Sequence, residues 1–139
     1  MKRLIAVIFI YLLVATVFGQ LTPIEIVNNA EESNGKALVT KFRDIIRRSA
    51  AYELSYAQEE PHFVVKITTM DRYKGDPEAE GISIIYNYII LLNMGDGTQL
   101  YCYSQIGYAG KDVLDEVAFD IYSDLDEFVE TFKSYMVNN

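Results

Sequence analysis

Cysteine is almost missing from this chain: among 139 residues there is one, Cys102. An internal disulfide is therefore excluded, and the fold must stand on packing. Small extracellular animal modules usually carry several disulfides, so an exported chain built this way points to a bacterial source. Histidine is as scarce, with His62 alone. Zinc sites draw on several Cys and His side chains, and two such residues are too few. Tryptophan is absent, which counts against a sugar cleft built on large aromatics. No serine sits in a G-x-S-x-G elbow, and no phosphate loop or dinucleotide fingerprint occurs. Cations are outnumbered 12 to 20, for a net charge of −8. That balance argues against nucleic acid and anionic membrane surfaces as partners.

What is present starts at the N-terminus. Met1-Lys2-Arg3 is a cationic head, Leu4 to Phe18 carries no charge, and Gly19 closes the run with a small residue. This is the pattern of a secretory signal peptide. A membrane-spanning helix needs about 20 apolar residues, and Gln20, Thr22, Pro23 and Glu25 stop the run short of that. No cysteine lies near the exit to carry a lipid. We assign residues 1–19 to a signal peptide and 20–139 to a single α+β domain, with cleavage after Gly19 or Gln20. Cleavage loses two of the twelve cations and keeps all twenty acids, which moves the charge from −8 to −10. The expected location is periplasmic or extracellular.

Hydrophobic periodicity sets the elements. Ile24-Glu25-Ile26-Val27-Asn28 alternates as a short edge strand. Thr22-Pro23-Ile24-Glu25 also fits a capping box with proline at the first helical position, so a helical turn is the alternative. Leu38, Phe42, Ile45, Ile46 and Ser49 recur at spacings of three and four, predicting a helix over 35–49 capped by Ser33 or Asn34. Tyr52–Tyr56 and His62–Met70 alternate as strands. Ile82–Asn93 is apolar on both faces, the mark of a covered central strand. Asp96-Gly97 suits a two-residue hairpin loop, with Thr98–Tyr108 returning. Residues 111–136 are helical from Leu114 to Met136, with Ser123-Asp124 as a candidate break. The expected fold is α+β, an antiparallel meander sheet of about four to five strands with two helices packed on one face.

The hairpin predicts a surface. A two-residue loop makes facing residue numbers sum to 193, pairing Leu92 with Tyr101, Ile90 with Tyr103 and Tyr88 with Gln105. Small residues at 102 and 104 on the opposite face would admit the helices. That leaves Tyr86, Tyr88, Tyr101 and Tyr103 on an open face as a candidate partner surface, since tyrosine combines large contact area with a hydroxyl. The competing reading is cross-strand aromatic pairing that merely stiffens the sheet.

Chemistry is thin by comparison. His62, beside Glu59, Glu60 and Pro61, reads as a strand-edge surface residue. As the base of a triad or of a Cys102/His62 pair it lacks the surrounding motif. Asp71, Asp76, Glu78 and Glu80 share one polar loop but miss the spacing of a calcium-binding loop. Asp120, Asp124, Asp126, Glu127 and Glu130 read as a solvated helix face. The basic stretch 36–48 and the acidic stretch 111–133 are expected to attract along their flanks. These residues favour an exported, non-catalytic domain binding a protein or envelope component, or a second copy of itself, with no cofactor or metal. The alternatives are a small carboxylate-dependent hydrolase and a structural subunit of a secreted assembly, the latter resting on a detachable edge strand at 24–28.

Overall fold

The structure is a computed structural model that describes residues 21–137; the predicted signal peptide lies outside them. The chain folds as α+β, with β1 (Thr22–Ala30), α1 (Ser33–Arg48), β2 (Tyr52–Leu54), β3 (His62–Asp71), β4 (Ser83–Asn93) and β5 (Gln99–Gly110). A 3₁₀ turn over Lys111–Val113 leads into α2 (Leu114–Val137). The five strands form one sheet in the order β2-β1-β3-β4-β5. The β3-β4-β5 half is an antiparallel meander, as expected. The other half is not: β1 pairs parallel with both β2 and β3, so the sheet is mixed. Segment 24–28 is a strand, but an interior one rather than an edge. It cannot peel away without breaking two ladders, which removes the motive for the structural-subunit reading.

Both helices lie on one face. α1 buries Leu38, Val39, Phe42 and Ile46, and α2 buries Leu114, Val117, Ala118, Ile121, Leu125 and Val129. These stripes meet Ile24 and Ile26 of β1, Phe63, Val65 and Ile67 of β3, and Ile84, Tyr86, Tyr88, Ile90 and Leu92 of β4 in one core. Phe63 takes Phe128 and Phe132 edge-on, with ring centroids 6.0 and 5.7 Å away. α2 runs unbroken through Ser123-Asp124, because its apolar spacing continues across the pair and packing outweighs the weak helix propensity of Ser and Asp. The N-cap of α1 is Glu32, without a side-chain cap. Asn34 instead donates from Nδ2 to the Gly81 carbonyl at 2.6 Å, tying the helix start to the 71–81 loop. The helix start sits so close to β3 that a β-carbon on Gly35 would collide with Thr69 Oγ1 and Glu32 Oε1.

The hairpin contains two departures from its predicted register, and they cancel. Met94 N–H donates to the Thr98 carbonyl at 2.9 Å, which leaves Gly95-Asp96-Gly97 as a three-residue loop. Gly95 and Gly97 have φ of +80° and +88°, the left-handed region that glycine enters at no steric cost. Asp96 Oδ1 accepts from Thr98 N–H at 2.8 Å, and that bond lowers its carboxyl pKa. The longer loop pairs Leu92 with Leu100 and Leu91 with Tyr101. A bulge between Ile90 and Leu91 then absorbs the one extra residue, Cys102. Beyond it Ile90 faces Tyr103 and Tyr88 faces Gln105, as the two-residue loop predicts. Leu92–Tyr101 is the pairing that fails.

Candidate interaction surface

The helices cover the opposite face from the one expected. Tyr86 and Tyr88 are buried, at 8% and 1% exposure, and stack against each other with centroids 6.5 Å apart beneath α2. The Tyr88 hydroxyl donates to Asp124 Oδ2, with Gln105 Oε1 3.3 Å away. Tyr103, on the same face, donates to Gln105 Oε1 at 2.7 Å. On β2, the Tyr52 hydroxyl donates to Asp126 Oδ1 at 2.6 Å. Small size at 102 and 104 therefore does not mark the helix side: Ser104 lies on the open face, and Cys102, in the bulge, packs against the core. Long phenols mark that side, because each buried hydroxyl needs an acceptor and α2 supplies carboxylates in reach. Asp124 and Asp126 are thus not simply part of a solvated helix face. Burial, then the hydrogen bond to Asp124 and that carboxylate's charge, push the Tyr88 phenol well above its ordinary range. Burial and Asp126 do the same to Tyr52. Tyr86 is raised by burial and then by the charges of Asp120 and Asp124.

Of the four predicted surface tyrosines, Tyr101 alone stands on the open face and is exposed, at 66%. The open face that does exist is built from the alternate residues of the same strands. β3 presents Lys66, Thr68 and Met70; β4 presents Ile85, Asn87, Ile89 and Leu91; β5 presents Tyr101, Ser104, Ile106 and Tyr108. Met70, Ile106 and Tyr108 are 53%, 71% and 73% exposed. Ile85, Ile89 and Leu91 are half-buried by their neighbours and take no part in the core. Two cations border the patch. Lys66 Nζ donates to Gln99 Oε1 at 3.1 Å, and the Arg72 guanidinium lies 5.2 Å from the Tyr108 ring centroid, a cation–π arrangement. The signal for this surface was in the sequence: Ile82–Asn93 is apolar on both faces, which reads as a strand covered on both sides, while the structure covers only one.

The end of the open face nearest the 95–97 loop is capped by the β2–β3 crossing. Gln58 Nε2 donates to Glu25 Oε2 at 3.1 Å, and Asn93 Nδ2 approaches Gln58 Oε1 at 3.5 Å. A β-carbon on Gly95 would sit 2.6 Å from the Glu59 carbonyl oxygen, so the two loops touch. His62 is buried there, 2% exposed, and is no surface residue. Its Nδ1 lies 2.6 Å from the Glu60 carbonyl oxygen and its Nε2 2.9 Å from Glu25 Oε2. With both ring nitrogens engaged, His62 has none left to activate Cys102. Burial pushes the Cys102 thiol up, away from the thiolate that a nucleophile needs.

Two of the four carboxylates in the acidic loop are engaged by the loop itself. Asp71 Oδ1 accepts from Tyr73 N–H at 2.7 Å and Oδ2 from Gly81 N–H at 2.6 Å, closing the loop. Asp76 Oδ1 accepts from Glu78 N–H at 3.0 Å. Among the described residues no group of three or more His, Cys, Asp or Glu side chains is placed to hold a metal ion. A cavity of about 210 Å³ opens between this loop and the 31–32 turn, lined by Glu31, Glu32, Thr69, Asp71, Lys74 and Glu80. Glu32 is held by the Thr69 hydroxyl. Among the described residues the ion pair between the helices is Lys41–Asp115, at 2.7 Å, so the expected flank attraction is realised at one exposed point. No described helix is long and apolar enough to cross a membrane.

No family model matches the chain, and no curated protein matches it. A solved structure of the hypothetical protein CT253 from Chlamydia trachomatis is similar at 8% identity, over 85% of this chain and 99% of that one, with a TM-score of 0.41. That likeness is too slight to bear on function.

Proposed function

We propose that this is an exported, non-catalytic domain that binds a protein or envelope component through the open face of its sheet. The observation that carries the reading is the row Ile85, Ile89, Leu91, Ile106 and Tyr108, apolar on strands whose other side is already covered by helices. Monomeric surfaces seldom leave such rows bare, and contiguous apolar patches bordered by polar residues mark interaction sites. Lys66 and Arg72 add positive charge to the patch of an otherwise acidic chain. Export rests on the charged head and apolar run of residues 1–19.

The test is a photo-crosslinking side chain placed at Ile89, in the middle of the patch, and separately at Thr40, which is exposed on α1. Expressed in the native host, the Ile89 protein should yield a discrete adduct that the Thr40 protein does not. Identical adducts at both positions, or none at Ile89, would overturn the reading. The hydrolase alternative is favoured by one observation, the carboxylate-lined cavity at Glu31, Glu32, Asp71 and Glu80. It requires that Glu32→Gln or Glu80→Gln abolish a measurable bond cleavage while the fold is kept. With both Asp71 oxygens committed to backbone N–H groups, that reading ranks second.

A further inference from the structure

The two edges of the sheet are unlike. β2 is three residues long and carries Glu53, and shortness and charge are both devices that keep an edge from pairing. β5 is twelve residues long, with no charge and no proline. Leu100, Tyr101, Ile106 and Tyr108 along it are 48–73% exposed. Every second residue of an edge strand turns its backbone N–H and C=O away from the sheet. The bulge at Cys102 interrupts the first part of that edge, but Tyr103–Gly110 runs in unbroken register against β4.

We propose that β5 pairs antiparallel with β5 of a second copy of this chain, about a two-fold axis at Ile106. The proposal rests on the reading of this side of the sheet as the binding surface, and it names the occupant of the edge. Its first support is charge. Two copies of a chain of net −8 repel, and β5 is an edge along which they can meet without opposing like charges. Its second support is shape. With Ile106 facing its own copy, Tyr108 falls opposite Ser104, Gln105 opposite Gly107, and Tyr103 opposite Ala109, so a large side chain meets a small one at each step on both faces. Directly opposed side chains are the unit that stabilises a strand pair, and a two-fold contact requires a segment to complement itself in this way. Pairing also makes the open faces of the two copies one continuous surface.

Sedimentation of the purified protein tests this, beside three variants. The wild type should sediment as a dimer, and its self-association should strengthen with added salt, because screening relieves the repulsion between acidic copies. Ile106→Lys sets two ammonium groups opposite each other at the axis and should weaken self-association by about fivefold, with an unchanged far-UV circular dichroism spectrum. Ile89→Ser, on the open face but off the edge, should leave the dimer intact. Ile106→Cys in a Cys102→Ser background should oxidise to a covalently linked dimer, which tests the register should the lysine variant fail to fold. A monomeric wild type, a dimer indifferent to Ile106→Lys, or a cysteine variant that does not link would overturn the proposal. If the wild type is monomeric while the Ile89 crosslink to another protein survives, the self-pairing fails and the open-face reading stands.

Discussion

The two faces of this sheet are made by the same strands, alternating residue by residue, yet they live in different chemical worlds. The helix side holds Ile24, Ile67, Ile84, Ile90 and Tyr88, none more than 1% exposed. Two of its phenols are matched to acceptors on α2, Tyr88 to Asp124 and Tyr52 to Asp126. The far side holds residues just as apolar, Ile106 and Tyr108 among them, at 71% and 73% exposure. Composition does not separate the faces; the presence of a helix stripe to pack against does. Burial of a side chain contributes about 1.5–3 kcal/mol when complete. The covered face therefore carries the fold, and the open face is free to carry recognition.

The sharpest way to break this comparison is a matched pair of truncations. Phe42→Ala, at a fully buried position, should cost about 3–5 kcal/mol in urea unfolding. Met70→Ser, 53% exposed on the far side and off the β5 edge, should change stability by no more than about 0.5 kcal/mol. Equal costs would mean that the open face is covered after all. Next in size is Gly107→Ala, whose β-carbon would meet the Tyr86 hydroxyl oxygen at 2.5 Å. It presses a covered-face contact and should cost about 1–3 kcal/mol by overpacking.

Tyr88→Phe should cost about 1–2 kcal/mol at neutral pH, by removing a buried hydrogen bond. Its pH signature is more specific. The folded-state pKa of Tyr88 is raised above the value near 10 that an unfolded tyrosine shows. Its stabilising effect is therefore complete below about pH 10 and is lost as the pH climbs from there toward the folded value. Above pH 10 the wild type should lose stability more steeply than Tyr88→Phe, by about 1.4 kcal/mol per pH unit. Parallel alkaline profiles would show that Tyr88 is not held as a phenol in the fold. Smallest of the effects on the covered side, Lys41→Met breaks an ion pair with Asp115, itself 80% exposed. It should cost between ~0 and 1 kcal/mol, and less in high salt.

Much of this fold was legible from local pattern. The helix stripe Leu38–Phe42–Ile45–Ile46, the alternation of His62–Met70 and the long apolar Leu114–Met136 repeat each announce an element, because period alone separates helix from strand. The candidate surface was legible only as a double-sided apolar strand. Its predicted members Tyr86, Tyr88 and Tyr103 fall on the wrong side because a tyrosine suits either face. What decides is whether a carboxylate waits above it, and Asp124 is 36 residues from Tyr88 in sequence. His62 was misread for the same reason: it lies beneath the β2–β3 connection, which crosses β1 and sets Gln58 against Glu25 and Asn93.

The amino-acid order by itself determined the class of the fold, the places where elements start and stop, and the cancellation that keeps Tyr88 opposite Gln105, since loop length and a bulge are local matters of a single hairpin. It also determined that no disulfide inside the chain holds the molecule. Tertiary structure alone decided that β1 is an interior strand with parallel neighbours, that the phenols of β4 face α2, and that an apolar row on β4 and β5 is left open to solvent. Those outcomes depend on which distant surfaces fit and which buried hydroxyls find acceptors, and no window of neighbouring residues contains that information.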